Sequence, residues 1–223
     1  MSATSPIYLN GSNTTLHVYG GNTNSAIQIG TLTGNGTVDF GDGGGGKTLT
    51  LSIGNDGGTG SFSGVISNSG ASTGPTVLSL ILNNSGGIQT LSGTNSYSGG
   101  TTITSGTLSI STDLNLGAVP GSVTANSITL GGGVLQSKAA AILNANRGVT
   151  LTAASGLAAT SGNSLTVNGI ITGAYSLTID GASQTGTVAL AGTNTYSGTT
   201  TVAAGTLSIS TDLNLGAVPG SVT

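Results

Sequence analysis

A long internal repeat constrains this chain more than any other feature of its sequence. Residues 91–124 and 190–223 match at 28 of 34 positions, and the last 19 of these positions are identical. The match continues upstream, where GVIS at 64–67 corresponds to GIIT at 169–172. The offset is 99 residues in the main segment and 105 upstream, so the first copy carries six extra residues after position 67. We expect this difference in length to lie in a loop, where insertions are tolerated.

Apolar and polar residues alternate along the repeats, as in Leu49/Leu51/Ile53 and Leu108/Ile110. This period of two predicts strands with one buried face. Gly or Asn-Gly interrupts the strands every few residues, and no helical period is sustained. Only residues 138–146 (KAAAILNAN) are predicted to form a helical turn.

Many short strands fit either a β-sandwich or a β-solenoid, and the repeat favours the solenoid. Near-identical copies are expected where each coil stacks on a similar coil and buries a shared core. With rungs of roughly 20–25 residues, the fold would be an all-β parallel solenoid of about ten rungs. We predict one continuous solenoid over residues 1–223, with copies at about 64–124 and 169–223. Residues 1–63 and 125–168 are predicted to form further rungs.

The composition excludes several classes of protein. Only 4% of the residues are charged, with three Lys and Arg against six Asp, and the chain has no Cys. The absence of Cys excludes zinc fingers that use cysteine ligands, thiol redox sites and disulfide scaffolds. Three positive charges are too few for a nucleic-acid-binding surface, and no apolar run approaches the ~20 residues of a membrane helix. We therefore expect neither nucleic-acid binding nor membrane insertion.

Two short motifs match signatures of enzymes and nucleotide-binding proteins. Residues 41–48 match the phosphate-binding pattern G-x-x-x-x-G-K-[ST], but an alternating strand follows where that site needs a helix. Residues 70–74 match the G-x-S-x-G pattern of serine hydrolases, which needs a strand–turn–helix and a His partner. The one His is His17, and it has no second His, Cys or Glu with which to bind a metal. We interpret both motifs as loops and expect no metal site.

The acidic residues are dispersed along the chain: Asp39, Asp42, Asp56, Asp113, Asp180 and Asp212. A β-helical glycosidase needs carboxylates that converge in one groove, whereas Asp113 and Asp212 are equivalent positions of a repeat. Asp42 and Asp56 lie in Gly-rich loops that lack the repeat of calcium β-rolls. We expect these side chains to stabilise turns, and we expect no catalytic residue and no cofactor.

Tyr97 and Tyr196 are also equivalent positions of the repeat. One interpretation makes them exposed platforms on which sugar rings stack. The other, which we favour, packs each ring at a corner of its rung, beside the following Ser-Gly turn.

The repeated segments LSGTNSYSGGTTITSGTLSI and LAGTNTYSGTTTVAAGTLSI resemble the autotransporter-associated β-strand repeat of bacterial surface proteins. The preceding GVIS and GIIT elements share this resemblance, as does ANSITLGGGVLQ followed by NRGVTL, so that it covers most of residues 28–223. The resemblance implies a right-handed parallel β-helix in an exported protein. It also implies a role in adhesion or surface structure, and no catalytic residues.

The residues that flank the repeats suggest how the N-terminal end of one chain could stack on the C-terminal end of another. The first copy is followed by ANSITLGG, and the N-terminal segment TSPIYLNG places Ile7 and Leu9 where Ile128 and Leu130 stand. Because the end of a solenoid exposes unpaired strand edges, we expect chains to stack head-to-tail. The alternative is a piece cut from a longer array. The candidate interface consists of Ile7, Leu9, Leu213, Leu215, Val218 and Val222.

We therefore predict a non-catalytic structural protein of the bacterial surface or extracellular matrix, a stiff rod that assembles with itself into filaments. One alternative is an adhesin that binds a glycan or another surface protein through its loops. A carbohydrate-active enzyme is the less favoured alternative.

Overall fold

The computed structural model describes residues 4–19, 25–41, 48–68, 77–181 and 184–217. The chain is all-β with 4% helix, and its parallel sheets form a β-solenoid of about eight turns. The predicted fold class is confirmed, and the turn number is close to the ten expected. The chain divides into two compact units, Met1–Ser109 with Leu114–Ala118 and Ile110–Asp113 with Val119–Thr223. That the solenoid is continuous over residues 1–223 stays a prediction.

The first unit is built from short strands separated by turns. In chain order the strands are β1 (Ile7–Leu9), β2 (Thr15–Tyr19), β3 (Ser25–Gln28), β4 (Leu32–Gly34), β5 (Thr37–Gly41), β6 (Thr48–Ile53), β7 (Thr59–Phe62), β8 (Val65–Ser67), β9 (Val77–Leu91) and β10 (Thr101–Ile110). A 3-10 helix, Asp113–Leu116, follows β10.

The strands of the first unit stack in three parallel columns. One column runs β1, β4, β7 and the second half of β9, another runs β2, β5 and β8, and the third runs β3, β6 and the first half of β9. The length of a turn varies, since 25 residues separate Ile7 from its partner Leu32 and 19 separate Ile88 from Thr107. Turns of unequal length are possible because the loops absorb the difference.

The second unit repeats this architecture. Its strands are β11 (Thr124–Leu130), β12 (Val134–Ser137), β13 (Ala140–Leu143), β14 (Arg147–Leu151), β15 (Ser155–Ala159), β16 (Ser164–Val167), β17 (Ile171–Gly173), β18 (Leu177–Ile179), β19 (Thr187–Leu190), β20 (Thr200–Val202) and β21 (Thr206–Ser208), followed by a 3-10 helix, Asp212–Leu215. The parallel columns are β11–β14–β17, β12–β15–β18–β20 and β13–β16–β19–β21.

Each core is a set of stacked aliphatic side chains at the inward positions of the strands. In the second unit Leu135 pairs with Leu157, which pairs with Ile179, and all three side chains are buried. Burial of one such side chain contributes about 1.5–3 kcal/mol. The period-two pattern of the sequence therefore correctly identified these core residues.

One detail of local structure differs from the sequence-based expectation, and a second is not described. Residues 138–146, expected to form a helical turn, contain β13 instead, and Ala140–Leu143 pair in parallel register with Ser164–Val167. The helical preference of Ala is worth less than the pairing and burial that the column supplies. The extra residues of the first copy, at positions 69–76, lie outside the described part of the chain.

Candidate functional site

The repeated segment folds into the same polar corner in both copies. In the first unit Asn95 is buried, and its Oδ1 accepts a hydrogen bond from Ile66 N–H at 2.9 Å. Its Nδ2 donates to Asn115 O at 2.6 Å, and Asn115 Nδ2 in turn donates to Gly93 O at 2.9 Å. These two amides link successive turns of the chain through buried backbone groups.

The second copy reproduces these bonds. Asn194 Oδ1 accepts from Ile171 N–H at 2.8 Å, and Asn194 Nδ2 donates to Asn214 O at 2.6 Å. Asn214 Nδ2 donates to Gly192 O at 2.9 Å. In each copy, the Asn of TNxYSG is thus hydrogen-bonded to the Asn of DLNLG. We call this pair the asparagine corner: Asn95 with Asn115, and Asn194 with Asn214.

The two repeat-equivalent tyrosines lie inside these corners. Tyr97 and Tyr196 are buried, and each hydroxyl oxygen lies 2.7 Å from the Oγ1 of a threonine, Thr101 or Thr200. Burial raises the pKa of Tyr196, and the hydrogen bond with Thr200 opposes that shift. Neither ring offers an exposed face on which a sugar could stack.

A glycine closes each corner. Gly117 adopts φ +82°, and a Cβ there would lie 2.5 Å from Tyr97 O. Gly216, its equivalent, adopts φ +91°, with a Cβ position 2.3 Å from Tyr196 O. The final Gly of DLNLG is therefore required both by its backbone conformation and by the close approach of the tyrosine backbone.

The end coil of the second unit, which consists of residues 200–215 with β20, β21 and the Asp212–Leu215 helix, exposes apolar side chains. Val202, Ile209 and Leu215 are 39–48% exposed, although their equivalents in the first copy, Ile103, Ile110 and Leu116, are at most 1% exposed. β20 pairs with β18 and β21 with β19, and no other strand of the described residues pairs with either. Within the described residues, the end coil therefore combines exposed apolar side chains with strands that pair on one side.

The first coil of the first unit, β1–β3, has the same character on a smaller scale. Ile7, Leu16 and Ile27 are half-buried. The residues paired with them in the next turn, Leu32, Val38 and Leu51, are fully buried. Tyr8 is exposed between Ile7 and Leu9.

The structure places the predicted interface residues unequally. Ile7 is half-buried and Leu9 is buried, whereas Leu213 and Leu215 are exposed. Leu213 is exposed to nearly the same extent as Leu114 of the first copy, so its side chain faces outward at either position. Val218 and Val222 lie outside the described residues.

Sequence reasoning missed Val202 and Ile209 as exposed apolar residues. No local pattern contained the signal, because both residues occupy the same positions of the repeat as the buried Ile103 and Ile110.

One ion pair of the described residues is buried. Arg147, 2% exposed, donates from Nε to Asp113 Oδ1 at 2.8 Å and from a terminal nitrogen to Asp113 O at 3.2 Å. Asn144 N–H also donates to Asp113 Oδ1, at 3.2 Å. Asp212, the repeat equivalent, is exposed and accepts from Leu213 N–H at 3.0 Å.

His17, Asp39 and Ser67 stack in one register of β2, β5 and β8. His17 Nδ1 lies 3.4 Å from Asp39 Oδ2, and Ser67 Oγ donates to Asp39 Oδ1 at 3.4 Å. Here the carboxylate stands between the hydroxyl and the imidazole. A hydrolase triad needs the imidazole in the middle, next to the hydroxyl whose proton it accepts, so this order does not activate Ser67.

The other predicted motifs do not assemble a site in the described part of the chain. The residues at 42–47 and 70–74, which carry the phosphate-binding and hydrolase patterns, lie outside it, as does Asp42. No three His, Cys, Asp or Glu side chains among the described residues lie close enough together to hold a metal ion. Within the same residues, no helix has the length and apolar character needed to cross a membrane.

Two carboxyl groups have opposite environments. Burial acts to raise the pKa of Asp56, but it is outweighed by hydrogen bonds from Thr31 N–H, Gly58 N–H and Thr31 Oγ1, so this pKa is lowered. Burial raises the pKa of Asp180, and the Ala159 N–H opposes this shift only in part.

Comparison with known families matches two segments of the chain to one repeat. The family described as Passenger-associated-transport-repeat matches residues 84–110 and 182–209, which include both buried tyrosines. No curated protein and no solved structure matches the chain. The resemblance to the autotransporter-associated repeat, expected from the sequence, is confirmed.

Proposed function

Because the chain carries two passenger-associated transport repeats, we propose that it is a non-catalytic structural segment of a passenger-type bacterial surface protein. The repeat family implies a secreted or cell-surface location. In this proposal the solenoid acts as a stiff rod, and rods stack head-to-tail through the end coil and the first coil.

The exposed apolar residues of the end coil carry the proposal. Val202, Ile209 and Leu215 are exposed, while the residues that occupy the same places in the first copy are buried. A further parallel coil would bury these side chains and pair the free edges of β20 and β21. Both changes favour association, since exposed edges and contiguous apolar patches promote pairing with another chain.

The first coil has the features that such a contact requires. Ile7, Leu16 and Ile27 lie at its inward positions and are only half-buried. In the sequence, Ile7 and Leu9 match Ile128 and Leu130 of β11, the strand that follows the first copy. The described residues of the first coil contain no Lys, Arg, Asp or Glu, so a coil stacked on it avoids repulsion between like charges at adjacent positions.

Electron microscopy of the purified chain, combined with light scattering over a concentration series, tests the proposal. We expect unbranched filaments whose mass per length corresponds to chains joined end to end. Ile209→Lys should abolish them, because it places a charge at a position that stacking would bury. Leu114→Lys is the matched control, since Leu114 is already exposed in the first copy and its substitution should leave the filaments intact.

A monodisperse monomer at all concentrations would refute head-to-tail stacking, and so would equal effects of Ile209→Lys and Leu114→Lys. Tyr97 and Tyr196 are buried, so neither side chain supports the glycan-binding alternative.

A further inference from the structure

One carboxyl group of the second unit is buried at a turn with incomplete hydrogen bonding. Asp180 follows β18 and is the one non-glycine residue with positive φ, +48°, in the described part of the chain. Its side chain is 0% exposed. Oδ1 accepts from Ala159 N–H at 2.6 Å, whereas the buried Oδ2 has no hydrogen-bond partner among the described residues.

Within the described part of the chain, no positive charge pairs with this carboxyl group. Of the strands around it, β15, β20 and β21 contain no Lys, Arg, His, Asp or Glu, and neither does the loop at 181–186. Lys138 lies at the same corner of the solenoid but in an earlier turn, where its side chain is exposed. The Thr206 N–H also faces the carboxyl group, but it donates to Gly186 O at 2.9 Å.

The turn of the end coil lies directly over Asp180. Gly205, between β20 and β21, has φ +60°, and a Cβ there would lie 2.3 Å from Asp180 Oδ2. The packing leaves little room for a water molecule to solvate a carboxylate at this oxygen, and an unpaired buried charge is costly.

The first copy places a neutral side chain near the equivalent glycine. Gly106, the repeat equivalent of Gly205, has φ +72°, and a Cβ there would lie against the backbone carbonyl oxygen of Asn84, whose side chain is also fully buried. Asn84 Nδ2 donates to Gly58 O of the preceding turn at 2.9 Å. A carboxyl group becomes neutral, and gains a donor like the amide, only when it is protonated.

We propose that Asp180 is a proton-controlled lock: its carboxyl group keeps its proton while the turn between β20 and β21 is closed over it, and losing that proton opens the turn. The burial that raises the pKa of Asp180 is consistent with this geometry. Because the folded-state pKa lies above the unfolded value, the stability that protonation provides is fully present below the ordinary Asp pKa of 3.8. It is lost as the pH rises through the folded-state pKa. Acidification should therefore tighten the end coil and neutral pH should loosen it.

Thermal melts of the full chain and of Asp180→Asn between pH 4 and pH 7 test the lock. We expect the substitution to raise Tm by about 3–6 °C at pH 7 and to have a much smaller effect at pH 4. The substitution introduces a neutral amide, the group that the first copy buries at Asn84 beside its equivalent glycine. A Tm change of the same size at both pH values would overturn the proposal, because it would show that the carboxyl proton has no role.

Two measurements on the unsubstituted chain complete the test, and they decide it even if the variant fails to fold. The carbon chemical shift of the Asp180 carboxyl group should titrate well above pH 3.8, and titration at or below that value would refute the lock. Hydrogen exchange at the Thr206 amide, which donates to Gly186 O, should show weaker protection at pH 7 than at pH 4 after correction for its intrinsic pH dependence. Equal protection would mean that the turn does not respond to the proton.

Discussion

At the scale of single residues, identical sequence does not mean identical surroundings. Asp113 and Asp212 both lie in the segment STDLNLG. Asp113 is bound by the buried Arg147, whereas Asp212 is exposed and bonds only to a neighbouring backbone N–H among the contacts the structure shows. The difference comes from β14, the strand that carries Arg147 past the first copy.

The Arg147–Asp113 pair gives a matched prediction. Asp113→Asn should lower the free energy of unfolding by about 3–5 kcal/mol, because it leaves the buried Arg147 charge without its counter-ion. Asp212→Asn has the same local sequence and no guanidinium partner, so we expect little change. Urea denaturation measures both. If the two variants lost the same stability, the ion pair would not be the cause.

Asp56 should show the opposite pH dependence to Asp180. Its pKa is lowered by the hydrogen bonds from Thr31 and Gly58, so its contribution to stability is present above the ordinary pKa of 3.8 and is lost as the pH falls through the folded-state pKa. Asp56→Asn should therefore reduce Tm at pH 7 and have little effect near pH 2. Because Asp56 is exposed, the effect should be small. Thermal melts at the two pH values measure it, and a larger loss at the acidic pH would contradict this account.

At the scale of structural elements, the two copies of the repeat share hydrogen bonds as well as sequence. Asn95 and Asn194 each connect a backbone N–H of an earlier turn to a backbone carbonyl of the next DLNLG helix. Strand pairing alone does not satisfy these buried groups, so each corner requires an amide that donates and accepts.

Replacing either amide should cost a similar amount. We expect Asn95→Ala and Asn194→Ala each to reduce the free energy of unfolding by about 2–3 kcal/mol, because two buried backbone groups lose their partners. Asn35→Ala is the control, since Asn35 accepts one exposed hydrogen bond from Gly11 N–H. Denaturation curves measure the three variants. A cost for Asn35→Ala as large as for Asn95→Ala would argue against a special role of the corner.

Secondary structure was predicted correctly where a local sequence pattern indicated it. It was predicted poorly where pairing with a distant segment determined the backbone conformation. The strands of both units follow the alternation of apolar residues. Residues 138–146 contain three consecutive alanines and suggested a helical turn, but pairing of β13 with β16 makes the segment extended. The two DLNL segments form 3-10 helices that no period in the sequence indicated.

At the scale of the whole chain, the sequence by itself determined an all-β parallel solenoid with a duplicated module. The reason is that alternation, frequent Gly and near-identical copies are local or directly visible properties. Only the tertiary structure decided which of two identical residues is buried. Ile110 is buried, and the Lys138 N–H of the following turn donates to its carbonyl oxygen. Ile209 is exposed, and no further strand of the described residues stacks beyond it. Likewise, only stacked turns bring Ala159 and Gly205 against Asp180, because each neighbour lies more than twenty residues away along the chain. Burial and hydrogen-bond partners in a solenoid belong to the adjacent turn, and no local sequence pattern specifies that turn.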